Sequence, residues 1–187
     1  MTFKFHIELL EIDFPKVWRA VIVPGNFTFH DFHHIIQGLF GWYDIHLYEF
    51  SPQGLGSYPI IAHPDSLPEE EYTNSAKYNL NKYFDTVGEK MIYTYDYGDC
   101  WEHRITLKEI SKARLGGVIY LGGEGACPPE DCGGVTGYED FKLAVNDPTH
   151  EDYKVTREWV GLEDGELWDV NEVDPDVIAN NLQMYRV

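Results

Sequence analysis

Two short segments gather most of the residues that could do chemistry. The first reads Tyr93-Thr94-Tyr95-Asp96-Tyr97-Gly98-Asp99-Cys100-Trp101-Glu102-His103, and the second Ala126-Cys127-Pro128-Pro129-Glu130-Asp131-Cys132-Gly133-Gly134. Carboxylates crowded beside an imidazole are the raw material of divalent-cation sites and of acid–base catalysis. Asp96, Asp99, Glu102 and His103 supply them in the first segment, Glu130 and Asp131 in the second. The second segment is stiffened at its entry by two prolines and freed at its exit by two glycines. Ordering so polar a loop costs entropy, which either capping of a following helix or a ligand must offset.

Backbone geometry sets limits on these groups. Asp96-Tyr97-Gly98-Asp99 suits a tight turn, because Asp bonds its own downstream backbone and Gly accepts positive φ. On the flanking strands Tyr93 and Tyr95 face one way, and after the turn Trp101 and His103 share a face opposite Cys100 and Glu102. The plain alternative to a site is a hairpin whose aspartates cap its turn and whose Trp101 packs in a core.

Three chemistries compete. In the first, adopted here, the chain is a non-catalytic binding module. A groove between the 93–103 hairpin and the 126–134 loop would take a protein or small-molecule partner on Trp42, Tyr95, Asp96, Tyr97 and Trp101. In the second it is a metal-assisted hydrolase. Asp96, Asp99, Glu130 and Asp131 would hold Mg²⁺ or Mn²⁺, with His103 as general acid or base. The metal would offset the charge that otherwise repels a phosphate, and the carboxylates would have to converge within about 4–6 Å. The catalytic candidates are then His103, Asp99, Glu130 and Asp131, and the cofactor is a divalent metal. In the third, Cys127 and Cys132 hold a structural zinc. Their spacing is wider than that of zinc knuckles, and strand parity keeps Cys100 and His103 from completing the set. His30 and His34 are i, i+4 on one helix face, but no glutamate completes a metallopeptidase HExxH pattern. His33 lies beside Ile36 and Phe40 at the edge of a core, so structural roles are expected for these rings.

The elements that must position these groups can be read along the chain. Phe3, Phe5, Ile7 and Leu9 alternate with polar residues, and the register slips at Leu9-Leu10, which predicts a strand with a bulge. Asp13–Lys16 is a turn and Val17–Val23 a second, antiparallel strand. Thr28 caps a helix with Asp31 as its capping-box partner, Phe32, Ile35, Ile36, Leu39 and Phe40 form its apolar face, and Gly41 stops it. Ile45–Phe50 reads as a strand. Residues 51–88 read mostly as loop, with an acidic run at Glu69–Glu71, one or two short strands and a brief helical turn near Leu80–Phe84. Glu89–Tyr95 and Trp101–Glu109 flank the hairpin turn. Val118–Leu121 is a short apolar stretch before a Gly/Pro-rich loop at Gly122–Gly134. Helices follow around Tyr138–Val145, at Tyr153–Val160 and after Asp174-Pro175, the last with Val177, Ile178, Leu182 and Tyr185 as its apolar face. The fold class is α+β: a mainly antiparallel sheet with an N-terminal hairpin, one early helix and a helical C-terminal third.

Composition bounds the rest. With 187 residues, 43% hydrophobic and 15% aromatic, the chain suits one well-buried core, a single domain over 1–187. Its formal net charge of −18 repels phosphates and anionic lipids, so direct nucleic-acid binding is not expected. Met1–His6 has no apolar signal core and no stretch approaches a membrane span of about 20 residues. A cytoplasmic protein with no membrane contact is expected, its three cysteines being thiols or ligands.

The same residues resemble the Ri-plasmid open-reading-frame-three-like proteins (plasmid pRi ORF-three-like). Trp18-Arg19, then His33, Gln37, Phe40-Gly41-Trp42 and His46-Leu47-Tyr48-Glu49-Phe50 are similar to that family's early blocks. Tyr95–Asp99 with Trp101-Glu102-His103 resembles its central block, and Cys127–Gly134 with Gly137-Tyr138 its loop block. The resemblance spans nearly the whole chain and implies an α+β domain of unestablished activity. Some members carry a transposon-resolvase label, which this sequence does not support, having no basic DNA-binding region. Cys100 falls where the family pattern fixes no residue, which weakens a four-ligand zinc further.

Overall fold

The computed structural model describes residues 1–63 and 71–185; of the expected loop, Pro64, Pro68, Glu69 and Glu70 lie outside the described residues. Alternating burial builds the first hairpin. β1 (Thr2–Asp13) and β2 (Lys16–Pro24) pair antiparallel, with a register shift between Glu8 and Asp13 where the sequence slips. Phe3, Phe5, Ile7 and Leu9 point into the core, as do Val17, Val21 and Val23.

α1 (Phe29–Phe40) starts and stops as its sequence dictates. Thr28 Oγ1 accepts from the Asp31 amide while the Asp31 carboxylate accepts from Thr28 N, a closed capping box. Gly41 ends the helix at φ 81°, where a side chain would be strained. The helix lays Phe32, Ile35, Ile36 and Leu39 on the sheet, and the Phe32 ring meets Phe5 at 4.8 Å.

β3 (Tyr48–Ser51) begins later than its sequence suggests, because residues 45–47 bridge to the site described below. The 51–88 segment holds two two-residue strands, β4 (Ile61–Ala62) and β5 (Thr73–Asn74), and 3₁₀ turns at Ser75–Lys77 and Leu80–Lys82. β6 (Lys90–Tyr95) and β7 (Trp101–Ser111) form the central hairpin. β8 (Ile119–Glu124) runs on through Gly122-Gly123, which the sequence reads as loop, because pairing with β2 continues to Trp18↔Glu124.

The eight strands form one sheet in the order β5-β4-β3-β6-β7-β1-β2-β8. Its pairs are antiparallel except β4 with β5, so the sheet is mixed though mostly antiparallel. The α+β class therefore stands, but a helical last third does not. α2 (Gly134–Ala144), α3 (Tyr153–Trp159) and α4 (Pro175–Asn181) are separated by turns and irregular chain around Asp147–His150 and Gly161–Asp174. In α4, Asp174 caps as expected, and Ile178 and Leu182 are buried, but Val177 faces solvent. Among the described residues, no helix is long and apolar enough to cross a membrane.

Candidate functional site

The site is assembled by three connections that the sheet brings together: the chain between α1 and β3, the β6–β7 turn, and the loop between β8 and α2. Pairing of Tyr48 with Tyr95 sets the register. It places Leu47 O against the Asp96 amide at 2.9 Å, so residue 46 sits beside the turn.

The loop is fastened to the core by aromatic side chains. Trp42 Nε1 donates to Pro128 O at 3.0 Å, and the Trp42 ring stacks on Tyr95 at 5.1 Å. Tyr95 Oη donates to Glu130 Oε1 at 2.7 Å and accepts from the Ile45 amide at 3.1 Å. Tyr43 N holds the other Glu130 oxygen at 2.9 Å. Burial, with Glu130 next to it, raises the Tyr95 phenol well above its ordinary range, so it stays a donor. Asp99 Oδ2 accepts from Gly133 N at 3.0 Å. A Cβ on Gly134 would stand 2.8 Å from Asp99 O, a close approach that only glycine permits.

Three carboxylates then surround one imidazole. His46 Nε2 lies 2.9 Å from Asp131 Oδ1, 3.7 Å from Asp96 Oδ2 and 3.7 Å from Glu130 Oε1. One ligand atom each from His46, Asp96 and Asp131 falls within 4.8 Å of the others. Asp96 keeps Oδ1 for the Gly98 amide at 2.8 Å, which leaves Oδ2 facing His46. Asp96 and Asp131 both hold left-handed backbone, at φ 56° and 58°. Asp tolerates that conformation better than most residues, and it recurs at functional sites.

The structure thus brings together Asp96, Glu130 and Asp131, and separates Asp99 and His103 from them. Asp99 is engaged in holding Gly133. His103 is fully buried on the Trp101 face of β7, where parity puts it. Its Nδ1 bonds Trp101 O at 3.1 Å, its ring meets Phe40 and Trp42 edge-on, and burial lowers its pKa to about 3. It is a neutral core residue, remote in chemistry from an acid–base group poised near neutrality. Trp42, Tyr95 and Trp101 are likewise buried and Tyr97 half-buried. The hairpin and the loop touch directly, through Asp99 with Gly133 and Tyr95 with Glu130, and Trp42 also lines a cleft of 320 Å³ with Pro128, Pro129 and Trp159. Among the described residues, neither Cys127 nor Cys132 belongs to a group of three potential metal ligands. Burial raises both thiols, Cys132 to about 12, so neither is a ready thiolate.

Sequence reasoning missed His46. Its signal was its place in the His46–Phe50 block, directly before a strand that pairs with the one carrying Asp96. The early histidines make bonds within the fold. His33 meets Tyr93 Oη and Asp44, and His30 Nδ1 meets Tyr48 Oη at 2.8 Å.

Fold and site together define a mixed-sheet α+β protein with a histidine–carboxylate cluster where the central hairpin turn meets a Pro/Gly-rich loop. The chain belongs to the plasmid pRiA4b ORF-3-like protein family, which it matches over residues 1–177. It is 36% identical over 156 residues to the uncharacterized protein y4hQ of Sinorhizobium fredii (strain NBRC 101917 / NGR234), covering 80% of this chain and 76% of that one. The crystal structure of MM3350, a protein of unknown function from Methanosarcina mazei Go1, superposes with a TM-score of 0.77 at 33% identity, over 94% of this chain and 96% of that one.

Proposed function

We propose that this protein is a binding module whose ligand is a divalent cation held by His46, Asp96 and Asp131, with Glu130 beside them. The observation that carries the reading is the convergence of three carboxylates, from two separate connections, on His46 Nε2. One imidazole with carboxylates favours an ion that accepts oxygen and tolerates nitrogen, which points to Mn²⁺ ahead of Mg²⁺. Tyr95 and the Tyr43 amide orient Glu130, and the Gly98 amide orients Asp96, as supporting partners do at metal centres. A bound cation would relieve the mutual repulsion of the carboxylates in a chain of net charge −18.

Calorimetric titration of chelator-treated protein with Mn²⁺ tests this. One ion per chain at this centre is expected, with affinity falling more than tenfold in Asp96→Asn and in His46→Ala, and holding in Asp99→Asn. Wild-type affinity in Asp96→Asn and His46→Ala would sink the proposal. The loaded protein is expected to leave p-nitrophenyl phosphate intact; turnover lost in His46→Ala would make the same centre hydrolytic instead.

A further inference from the structure

We infer that His33 Nε2, His34 Nε2 and one Asp44 oxygen form a second metal site, independent of the first, suited to an imidazole-preferring transition ion such as Zn²⁺ or Co²⁺. Their ligand atoms all lie within 4.8 Å of one another. His33 Nε2 is 2.6 Å from Asp44 Oδ1, and His34 Nε2 is 3.1 Å from Asp44 Oδ2. Ligand atoms at 2.0–2.1 Å from a tetrahedral ion stand about 3.3 Å apart, so the three donors need only small movements to enclose one. Two imidazoles and a carboxylate select such ions over Mg²⁺ and Ca²⁺.

The surroundings are those of an oriented ligand set. His33 is fully buried, stacked on Tyr48 at 3.6 Å, with its Nδ1 2.7 Å from Tyr93 Oη. Gln37 links the hydroxyl that meets His33 to the backbone of Asp44: its Nε2 donates to Tyr93 Oη at 3.0 Å and its Oε1 accepts from the Asp44 amide at 2.9 Å. Such partners fix ring orientation at metal centres. As the rings stand, the Asp44 carboxylate accepts from Nε2 of each. Metal binding takes the Nε2 lone pairs and moves the proton of each neutral ring to Nδ1; at His33 that proton is then donated to Tyr93 Oη, whose own hydroxyl hydrogen turns away from the ring.

The fourth position has somewhere to open. His34 and Asp44 line a cleft of 360 Å³ shared with Tyr43, Asn181 and Met184. Three protein ligands beside an accessible cleft is the pattern of zinc centres that keep an exchangeable position, whereas purely structural zinc takes four protein ligands.

Titration of the full chain with Co²⁺, followed by visible absorption, tests the site. Imidazole-bound Co²⁺ bands are expected in wild type and in His46→Ala, with affinity lowered more than tenfold in His34→Gln, a partly exposed position where folding is checked by circular dichroism. Ring ¹⁵N spectra should show the Nε2 signals of His33 and His34 moving on Zn²⁺ addition to His46→Ala. Wild-type Co²⁺ affinity in His34→Gln, or no bands in His46→Ala, overturns the inference. Binding lost in His46→Ala and kept in His34→Gln would remove this site and leave the carboxylate centre standing.

Discussion

Acidification should weaken this fold by an amount traceable to one ring, His103. The imidazole has an ordinary pKa of 6.5, and burial lowers it to about 3 in the folded protein. Above pH 6.5 the ring is neutral in both folded and unfolded chains and adds no pH dependence. As pH falls through 6.5 the unfolded chain takes a proton that the folded chain refuses. Stability then drops by up to about 1.4 kcal/mol per pH unit. Between pH 7 and pH 5 the loss from this ring is about 2 kcal/mol, and the full deficit of about 5 kcal/mol is reached only below about pH 3. Among the described residues no carboxylate faces the ring to offset this; its partners are the carbonyls of Trp101 and Tyr93. Urea unfolding of wild type and His103→Gln at pH 7 and pH 5 isolates the term, since the other histidines contribute equally to both proteins. Wild type should lose about 2 kcal/mol more than the variant over that interval. Equal losses in the two proteins would refute the reasoning.

Other perturbations probe the connections around the carboxylate centre. Tyr95→Phe removes a hydroxyl that bonds both the Glu130 carboxylate and the Ile45 amide. It should cost about 1.5–3 kcal/mol in chemical unfolding, the range for hydrogen bonds to charged groups; unchanged stability would contradict the bond. Arg19 is buried and gives hydrogens to the carbonyls of Trp18, Leu39, Glu124 and Gly125. Arg19→Lys offers fewer donors without the planar fork and should lower the unfolding free energy by about 2–4 kcal/mol. Gly134→Ala, at φ 68° against Asp99 O, should cost about 1–3 kcal/mol and speed exchange of the Gly133 amide. Gly41→Ala, at φ 81° but with open space around it, should cost only about 1 kcal/mol.

The early elements were legible because their signals are local. Thr28 and Asp31 are three residues apart, and the alternation in β1 needs no partner to be read. The central hairpin was legible for the same reason, even to the shared face of Trp101 and His103. That parity already argued against His103 as a solvent-facing acid or base, because a face that buries Trp101 buries its neighbour. Asp96, Glu130 and Asp131 stood out by type and crowding. Their convergence on His46 did not, because it depends on the pairing of Tyr48 with Tyr95, a contact between segments that carry no mark of their partnership. Asp99 illustrates the same limit. Its side chain could cap its own turn or reach another loop, and only the tertiary approach of Gly133 decides. The irregular chain between α3 and α4 lacks a period to read, so the last third looked more helical than it is.

The order of strands in the sheet carries a consequence for how the chain is made. β1 lies between β2, its immediate successor, and β7, whose residues come roughly a hundred positions later. A ribosome finishes the first hairpin early, yet one flank of β1 stays an unpaired row of amides and carbonyls until Trp101–Ser111 emerges. Contacts of such long separation form slowly, and a bare strand flank is a template for any other chain in an extended conformation. Translation halted before Trp101 would therefore release a fragment with an adhesive edge, whereas the finished chain has that edge sealed in the middle of its sheet.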